Sequence, residues 1–139
     1  MKQENIVEKV KAYLQAIEKN NKKGKKINAI LQVNEKVLDE AREMERRKGK
    51  KGKLYGKIIA VKANINVKGL SSSCASRTLE NYKAGYDATV IDRIKKEDGL
   101  IIGICNMDEF ACGSSGETSA FGACKNPAAL DLIPGGSSS

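Results

Sequence analysis

Apolar positions near the start of the chain recur with the period of an α-helix. Between Asn5 and about Lys19 they lie mostly three or four residues apart, which places them on one face of a helix. These positions are Ile6, Val7, Val10, Tyr13, Leu14 and Ile17. A second helix is predicted from about Asn34, a residue type that caps helix N-termini. Its apolar face consists of Val37, Leu38, Ala41 and Met44. The apolar segment 27–33 is predicted to be extended and packed beneath the two helices.

After Gly56 the pattern changes to short apolar runs that are typical of strands. Residues 58–65 form a branched apolar run interrupted by one lysine, and residues 100–105 form another, so both are predicted to be buried strands. Residues 87–95 lie between them and are predicted to form a helix with Asp87 as its N-cap. This order predicts a right-handed β-α-β crossover with parallel strands. The predicted fold class is therefore α/β, with helices on the faces of the sheet.

Small residues dominate the chain from Asn106 onward. The segment 113–122 is rich in glycine and serine, and the segment 134–139 has the sequence Pro-Gly-Gly-Ser-Ser-Ser. Such a composition does not build an apolar core. Two interpretations remain: a flexible tail, or a backbone that approaches a ligand or a neighbouring strand closely.

Composition and charge narrow the class of protein. A length of 139 residues with 40% apolar residues predicts one domain with a modest core. The sequence contains no apolar run long enough to span a membrane, and residues 1–5 do not resemble the start of a secretory signal, so we expect a soluble, cytoplasmic protein without a membrane partner.

Positive charge is concentrated in the first part of the chain. The net charge is +8, and residues 1–57 carry 17 of the 25 basic residues but only 8 of the 17 acidic ones. The basic runs at 21–26 and 46–53 are interpreted either as solvated linkers or as sites that attract RNA phosphates. Tyr13 and Tyr55 are the only aromatic residues in this half, which favours the linker, because RNA-binding modules usually interleave aromatic residues for stacking.

The absence of histidine limits the chemistry that the chain can perform. It excludes Ser-His-Asp and Cys-His arrangements and most zinc sites within these 139 residues, and no metal site is predicted. The four cysteines contain no Cys-x-x-Cys pair and are predicted to be reduced thiols that pack as small apolar residues; a cysteine nucleophile is the weaker alternative. They are Cys74, Cys105, Cys112 and Cys124.

Lys62 and Ser137 are the candidate catalytic residues. A charged lysine within an apolar strand is costly to bury, so Lys62 either reaches water at a strand end or serves as an uncharged general base. A base needs a hydroxyl to act on, and the segment 134–139 offers three beside glycines whose backbone N–H groups are accessible. Without Lys62, this segment is more typical of a linker than of a catalytic loop.

Five sequence blocks in the same order resemble the amidase signature family. They are Gly56–Ile65, Cys74–Tyr82, Tyr86–Val90, Asn106–Ala111 and Pro134–Ser138. Within the family they are most similar to the glutamine-hydrolysing branch, the A subunits of tRNA-dependent amidotransferases. The likeness is close over 56–139 and loose over 1–55, so we predict a basic helical segment at 1–55 and an incomplete amidase-signature domain at 56–139. A sheet that lacks its later strands exposes an edge, and we expect aggregation or a partner.

The resemblance implies a triad of lysine and two serines. Lys62 matches the catalytic base of the family, and Ser137 matches the serine that follows a cis peptide bond and relays the proton. The nucleophilic serine of the family belongs to a later Gly-Gly-Ser-Ile-Arg block, which this sequence does not contain, so the chain alone is expected to be nearly inactive. Cys112, Gly113 and Ser114 match residues that line the substrate pocket.

The resemblance also implies partners. Relatives in the glutamine-hydrolysing branch release ammonia from glutamine and pass it to a B subunit, in a complex with a C subunit, for amidation of glutamate on tRNA. No cofactor is expected for the amidase step, and ATP and Mg²⁺ are expected on the partner subunit. Two alternatives remain: an enzyme of the same family that acts on another small amide, and a noncatalytic basic module that contacts RNA.

Overall fold

A computed structural model of the chain describes residues 5–139 and contains one three-stranded sheet. The strands are β1 (Ile30–Val33), β2 (Ile58–Lys62) and β3 (Leu100–Cys105), and the helices are α1 (Ile6–Ile17), α2 (Val37–Arg46) and α3 (Thr89–Lys96). A π-helical turn (Glu18–Lys22) extends α1, and short 3-10 turns lie at Arg77–Leu79 and Glu109–Ala111. β3 is the central strand, antiparallel to β1 and parallel to β2. The predicted α/β class and the parallel β2–β3 pair are confirmed.

The two N-terminal helices form one apolar cluster with the start of β3. Its buried members are Ile6, Val10, Val37, Ala41 and Leu100. Both predicted amphipathic helices are therefore confirmed, and segment 27–33 contains the extended residues of β1. Since β1 pairs with β3, the basic segment and the later chain share one sheet; the division at residue 55 stays a prediction.

Both predicted N-caps of the later helices are wrong. Asn34 lies before α2, where its Oδ1 accepts from the Lys36 N–H (3.1 Å) and its Nδ2 donates to the Ile101 carbonyl (2.9 Å). α3 begins at Thr89, and Asp87 instead accepts from the backbone N–H of Lys68 (2.7 Å) and from Lys95 Nζ (2.7 Å). The Asn34 oxygen is thus used by an N–H that lies before the helix, and the Asp87 carboxylate is used by two lysines, so neither side chain caps the first turn.

The prediction that 58–65 is a buried strand is only partly correct. β2 ends at Lys62, and within it only Val61 is buried, while Ala60 is exposed. β3, by contrast, is buried from Leu100 to Ile104. The difference arises because β2 lies at the edge of the sheet and β3 lies between two strands. Aggregation through this edge stays a prediction.

The segment 106–139 is tied to the rest of the molecule by backbone hydrogen bonds. Three of its N–H groups donate to backbone carbonyl oxygens of earlier segments. These bonds are Asn106 to Ala29 (2.7 Å), Ala120 to Ala75 (2.9 Å) and Lys125 to Ile27 (2.9 Å). These contacts favour close packing of a glycine- and serine-rich backbone over a flexible tail. No helix among residues 5–139 is both long and apolar enough to cross a membrane.

Gly103 marks the closest approach of β1 to β3. A Cβ atom at this position would collide with the backbone carbonyl oxygen of Gln32, next to the register shift between Ile30 and Gln32. We expect Gly103→Ala to destabilise the complete protein by about 1–3 kcal/mol through overpacking, seen as a lower melting temperature. Gly85→Ala is the matched control, because nothing lies within 4 Å of its Cβ position. Equal melting temperatures for the two variants would contradict the prediction.

Candidate active site

Lys62 and Ser137 meet at the carboxyl end of β2. Lys62 is the last residue of this strand and is half-buried, and its Nζ donates a hydrogen bond to Ser137 Oγ at 2.6 Å. The two residues are 75 positions apart in the sequence. The structure therefore brings the two candidate catalytic residues into direct contact at the end of the strand, and the role of Lys62 as a base stays a prediction.

The backbone around Ser137 is held in an unusual conformation. The Gly136–Ser137 peptide bond is cis, as expected from the resemblance, and Gly135 has a φ of 99°, which glycine adopts readily. The Ser137 carbonyl accepts a hydrogen bond from the Asp108 N–H at 3.1 Å. Contacts with two different segments thus fix the side chain and the backbone of Ser137.

Asp108 connects the serine loop to the segment 113–118. Its side chain is fully buried; Oδ2 accepts from the Gly116 N–H (3.1 Å), and Oδ1 accepts from the N–H (3.2 Å) and Oγ1 (2.9 Å) of Thr118. Burial by itself would raise the pKa of Asp108, but the backbone and hydroxyl donors outweigh it and hold that pKa below its usual value. Asp108 is therefore an ionised carboxylate that links the serine loop to the segment 113–118.

Two glycines let the loops pack onto this carboxylate. A Cβ at Gly113 would lie 2.5 Å from Asp108 Cγ, and a Cβ at Gly136 would collide with Asp108 Oδ2 and with the backbone of Ser114 and Ser115. The segments 113–116 and 134–137 therefore enclose one carboxylate between them. Any larger residue at either glycine would push the loops apart.

The three candidate pocket residues differ in how closely they approach the Asp108 carboxylate and the serine loop. Gly113 and the backbone of Ser114 contact Asp108 and Gly136, respectively. Cys112 is exposed, and its Sγ lies 3.6 Å from the Phe110 carbonyl oxygen. The structure thus places Gly113 and Ser114 next to the serine loop, and the role of all three in lining a pocket stays a prediction.

The sequence pattern did not single out Asp108 or Thr118. Asp108 nevertheless carries a signal in the sequence. It follows shortly after the carboxyl end of β3, and Lys62 is the last residue of β2. Because β2 and β3 are parallel, their carboxyl ends lie on the same side of the sheet. A polar residue just beyond the end of a buried strand is therefore a candidate for a functional site at the carboxyl ends of the strands. Thr118 gives no comparable signal, because its contact depends on the path of the loop.

The cysteine alternative finds little support in the geometry. All four cysteines are free thiols, and burial raises the pKa of Cys74, Cys105 and Cys124. Cys105 pairs with Lys62 in the parallel register, but a thiol with a raised pKa holds little thiolate and is a poor nucleophile at neutral pH. Within residues 5–139, no three carboxylate or thiol groups are arranged to hold a metal ion.

Residues 8–139 match the sequence model of the Amidase family. This match covers nearly the whole chain. The chain belongs to the amidase family. The resemblance drawn from the five sequence blocks is therefore confirmed.

Similar proteins within this family include amidotransferase subunits. The chain is 67% identical to the A subunit of glutamyl-tRNA(Gln) amidotransferase from Methanocaldococcus jannaschii over 136 residues, 96% of this chain and 31% of that protein. The crystal structure of the corresponding A subunit from Thermotoga maritima is 38% identical with a TM-score of 0.76, covering 93% of this chain and 26% of that one. The chain thus spans less than a third of the length of either relative.

The fold is shared with a peptide amidase. The peptide amidase of Stenotrophomonas maltophilia is 29% identical with a TM-score of 0.88, covering 96% of this chain and 29% of that chain. Since this fold occurs in both kinds of enzyme, backbone similarity alone does not distinguish between substrates.

Proposed function

We propose that this amidase-family chain is the N-terminal part of a glutamine-hydrolysing A subunit in a tRNA-dependent amidotransferase. The complete complex would form Gln-tRNA(Gln) from Glu-tRNA(Gln). The observation that carries the proposal is the 2.6 Å hydrogen bond between Lys62 Nζ and Ser137 Oγ within the matching sequence blocks. The sequence identity with archaeal and bacterial A subunits supports the choice of substrate.

The proposed reaction moves a proton from a nucleophile to Lys62 through Ser137. A serine hydroxyl supplied from outside these 139 residues attacks the side-chain amide carbon of glutamine. Its proton passes to Ser137 Oγ while the Ser137 proton passes to the uncharged amine of Lys62. The same path returns a proton to the leaving nitrogen, the C–N bond breaks, and ammonia departs. Water then hydrolyses the acyl-enzyme to glutamate, and general-base assistance contributes about 10²–10⁴-fold.

The remaining parts of the proposal concern the substrate pocket and partners. Cys112, Gly113 and Ser114 line the glutamine pocket. The B subunit receives the ammonia in a complex that also contains the C subunit, with ATP and Mg²⁺ acting on the partner subunit. The amidase step itself uses amine and hydroxyl groups and needs no cofactor. The chain by itself is nearly inactive because it lacks the nucleophile, and the complex works in the cytoplasm.

Hydrolysis of a different small amide is the second candidate, favoured by the likeness to peptide amidase. The test compares ammonia release from glutamine and from a peptide with a C-terminal amide, using the complete enzyme with its partners. We expect a higher kcat/KM for glutamine, because a site built to pair with the amino and carboxylate groups of free glutamine loses that pairing with the peptide amide. The reverse order would favour a peptide amidase, and release from neither substrate would favour a noncatalytic module.

A further inference from the structure

The basic residues between α2 and β2 form a solvent-exposed loop that is anchored to the end of α3. We define the basic loop as residues 47–53. Arg47 Nη2 forms an ion pair with Asp98 Oδ1 at 2.6 Å, and the N–H of Gly52 donates to Asp98 Oδ2 at 2.6 Å. The N–H of Lys53 donates to Glu97 Oε2 at 2.8 Å. Three contacts thus hold this connection between α2 and β2 against the C-terminal end of α3, while its lysine side chains remain exposed.

Anchoring leaves the outer surface of the basic loop strongly positive. Its contacts occupy both oxygens of Asp98 and one of Glu97, the two carboxylates that face it. The ammonium groups of Lys48, Lys50 and Lys53 are exposed and form no ion pair within residues 5–139. Lys51 Nζ lies 4.0 Å above the Tyr55 ring, which steadies it without neutralising it.

A cleft of about 500 Å³ separates the basic loop from the end of α3. Its charged lining consists of Arg47, Lys48, Lys50, Lys51, Lys53, Lys96, Glu97 and Asp98. Because the acidic groups are already paired with the loop, the cleft presents a concave, positively charged surface. A polyanion fits this surface better than a single small anion, since the charges are spread along several residues.

The basic loop lies at the amino ends of β2 and β3, and the candidate active site lies at their carboxyl ends. The loop precedes β2, and Glu97 and Asp98 precede β3, whereas Lys62 ends β2. The five residues of β2 separate the loop from the candidate active site by roughly 13 Å. A polyanion bound at the loop would therefore be held on the protein without entering the site of amide chemistry.

We propose that the basic loop is a docking surface for the phosphate backbone of tRNA. The proposal rests on the proposed function in taking tRNA as the RNA. Exposed lysines on a preformed loop suit phosphate contacts, which need positive charge more than base recognition. A protein partner suits the surface less well, because lysine is depleted in protein interfaces and the cleft lining offers no aromatic or methionine anchor.

The test measures binding of unmodified tRNA(Gln) transcript to the complete amidotransferase over a series of salt concentrations. In one variant, Lys48, Lys50, Lys51 and Lys53 are replaced by Gln. We expect its Kd to rise at least about fivefold near 0.1 M salt, and the slope of log Kd against log salt to fall by two or more, since each phosphate contact contributes about 0.7–0.9. Replacing the same lysines by Arg keeps the charge and should restore the slope.

A matched variant separates local contact from overall charge. Lys36, Lys68, Lys83 and Lys125 are also exposed and lie outside both basic runs, and their replacement by Gln changes the net charge equally. We expect this variant to bind tRNA like the wild type; an equal loss in both variants, or an unchanged slope in the loop variant, would overturn the proposal. Loss of a partner subunit from the loop variant without a change in slope would overturn it too, in favour of a protein interface. Ammonia release by the wild-type complex tests the proposed function separately.

Discussion

Replacing Lys62 by Met in the complete amidotransferase is expected to lower ammonia release from glutamine by about 10²–10⁴-fold, the usual contribution of general-base catalysis. Methionine has a similar length and leaves the half-buried strand end filled, but it offers no nitrogen to Ser137 Oγ. The loss should appear in kcat, with a smaller change in KM, because the proton is transferred in the transition state. Steady-state assays of ammonia at saturating and limiting glutamine measure both constants.

Lys62→Arg distinguishes a base from a positive charge. Arginine keeps the charge and donates hydrogen bonds, but its guanidinium does not lose a proton in proteins, so this variant should be as inactive as Lys62→Met. Lys57→Met is the matched control, an exposed lysine that directly precedes β2. Substantial activity in Lys62→Arg would exclude the base role, and wild-type activity in Lys62→Met would exclude the whole proton path.

Apolar periodicity was sufficient to predict the elements that bury a side-chain face. The helices α1 and α2 and the strand β3 follow from spacing and run length. The two helices pack their apolar side chains into the cluster that contains Leu100, and β3 contributes Ile101 and Ile104 to a second apolar cluster. Periodicity did not distinguish the edge strand β2 from the central strand β3. Both are apolar runs, and their different exposure depends on strand order, which local sequence does not encode.

Polar contacts between distant segments were harder to predict. Asp87 has the residue type of an N-cap, but Lys68 and Lys95 take its carboxylate. The basic run at 46–53 resembles a linker, but Glu97 and Asp98 anchor it. The Lys62–Ser137 pair was predictable because matching sequence blocks carried both residues, whereas the contacts of Asp108 became visible only once the loops were placed together.

Asp108→Asn is expected to lower kcat for glutamine hydrolysis by about 10²-fold, comparable to the effect of displacing a catalytic group by about 1 Å. The asparagine amide turns N–H donors toward either the Gly116 N–H or the Thr118 pair, where the carboxylate accepts three hydrogen bonds. Donor then faces donor inside a buried site, so the segment 113–118 moves. The serine loop moves with it, because Gly136 packs directly on this carboxylate and the Asp108 N–H holds the Ser137 carbonyl.

Asp108 acts on the reaction through Ser137, so its effect must be separated from simple unfolding. We expect Asp108→Asn also to lower the melting temperature of the complete enzyme, and its kcat should stay low at temperatures far below that melting point. Asp131→Asn is the control, since Asp131 is an exposed carboxylate of the same C-terminal segment. If Asp108→Asn reaches wild-type kcat while folded, the carboxylate stabilises the loops without positioning Ser137. A positioning role predicts a fall in kcat at unchanged KM while the enzyme remains folded. A purely structural role predicts a smaller fraction of folded enzyme, with the turnover of each folded molecule unchanged.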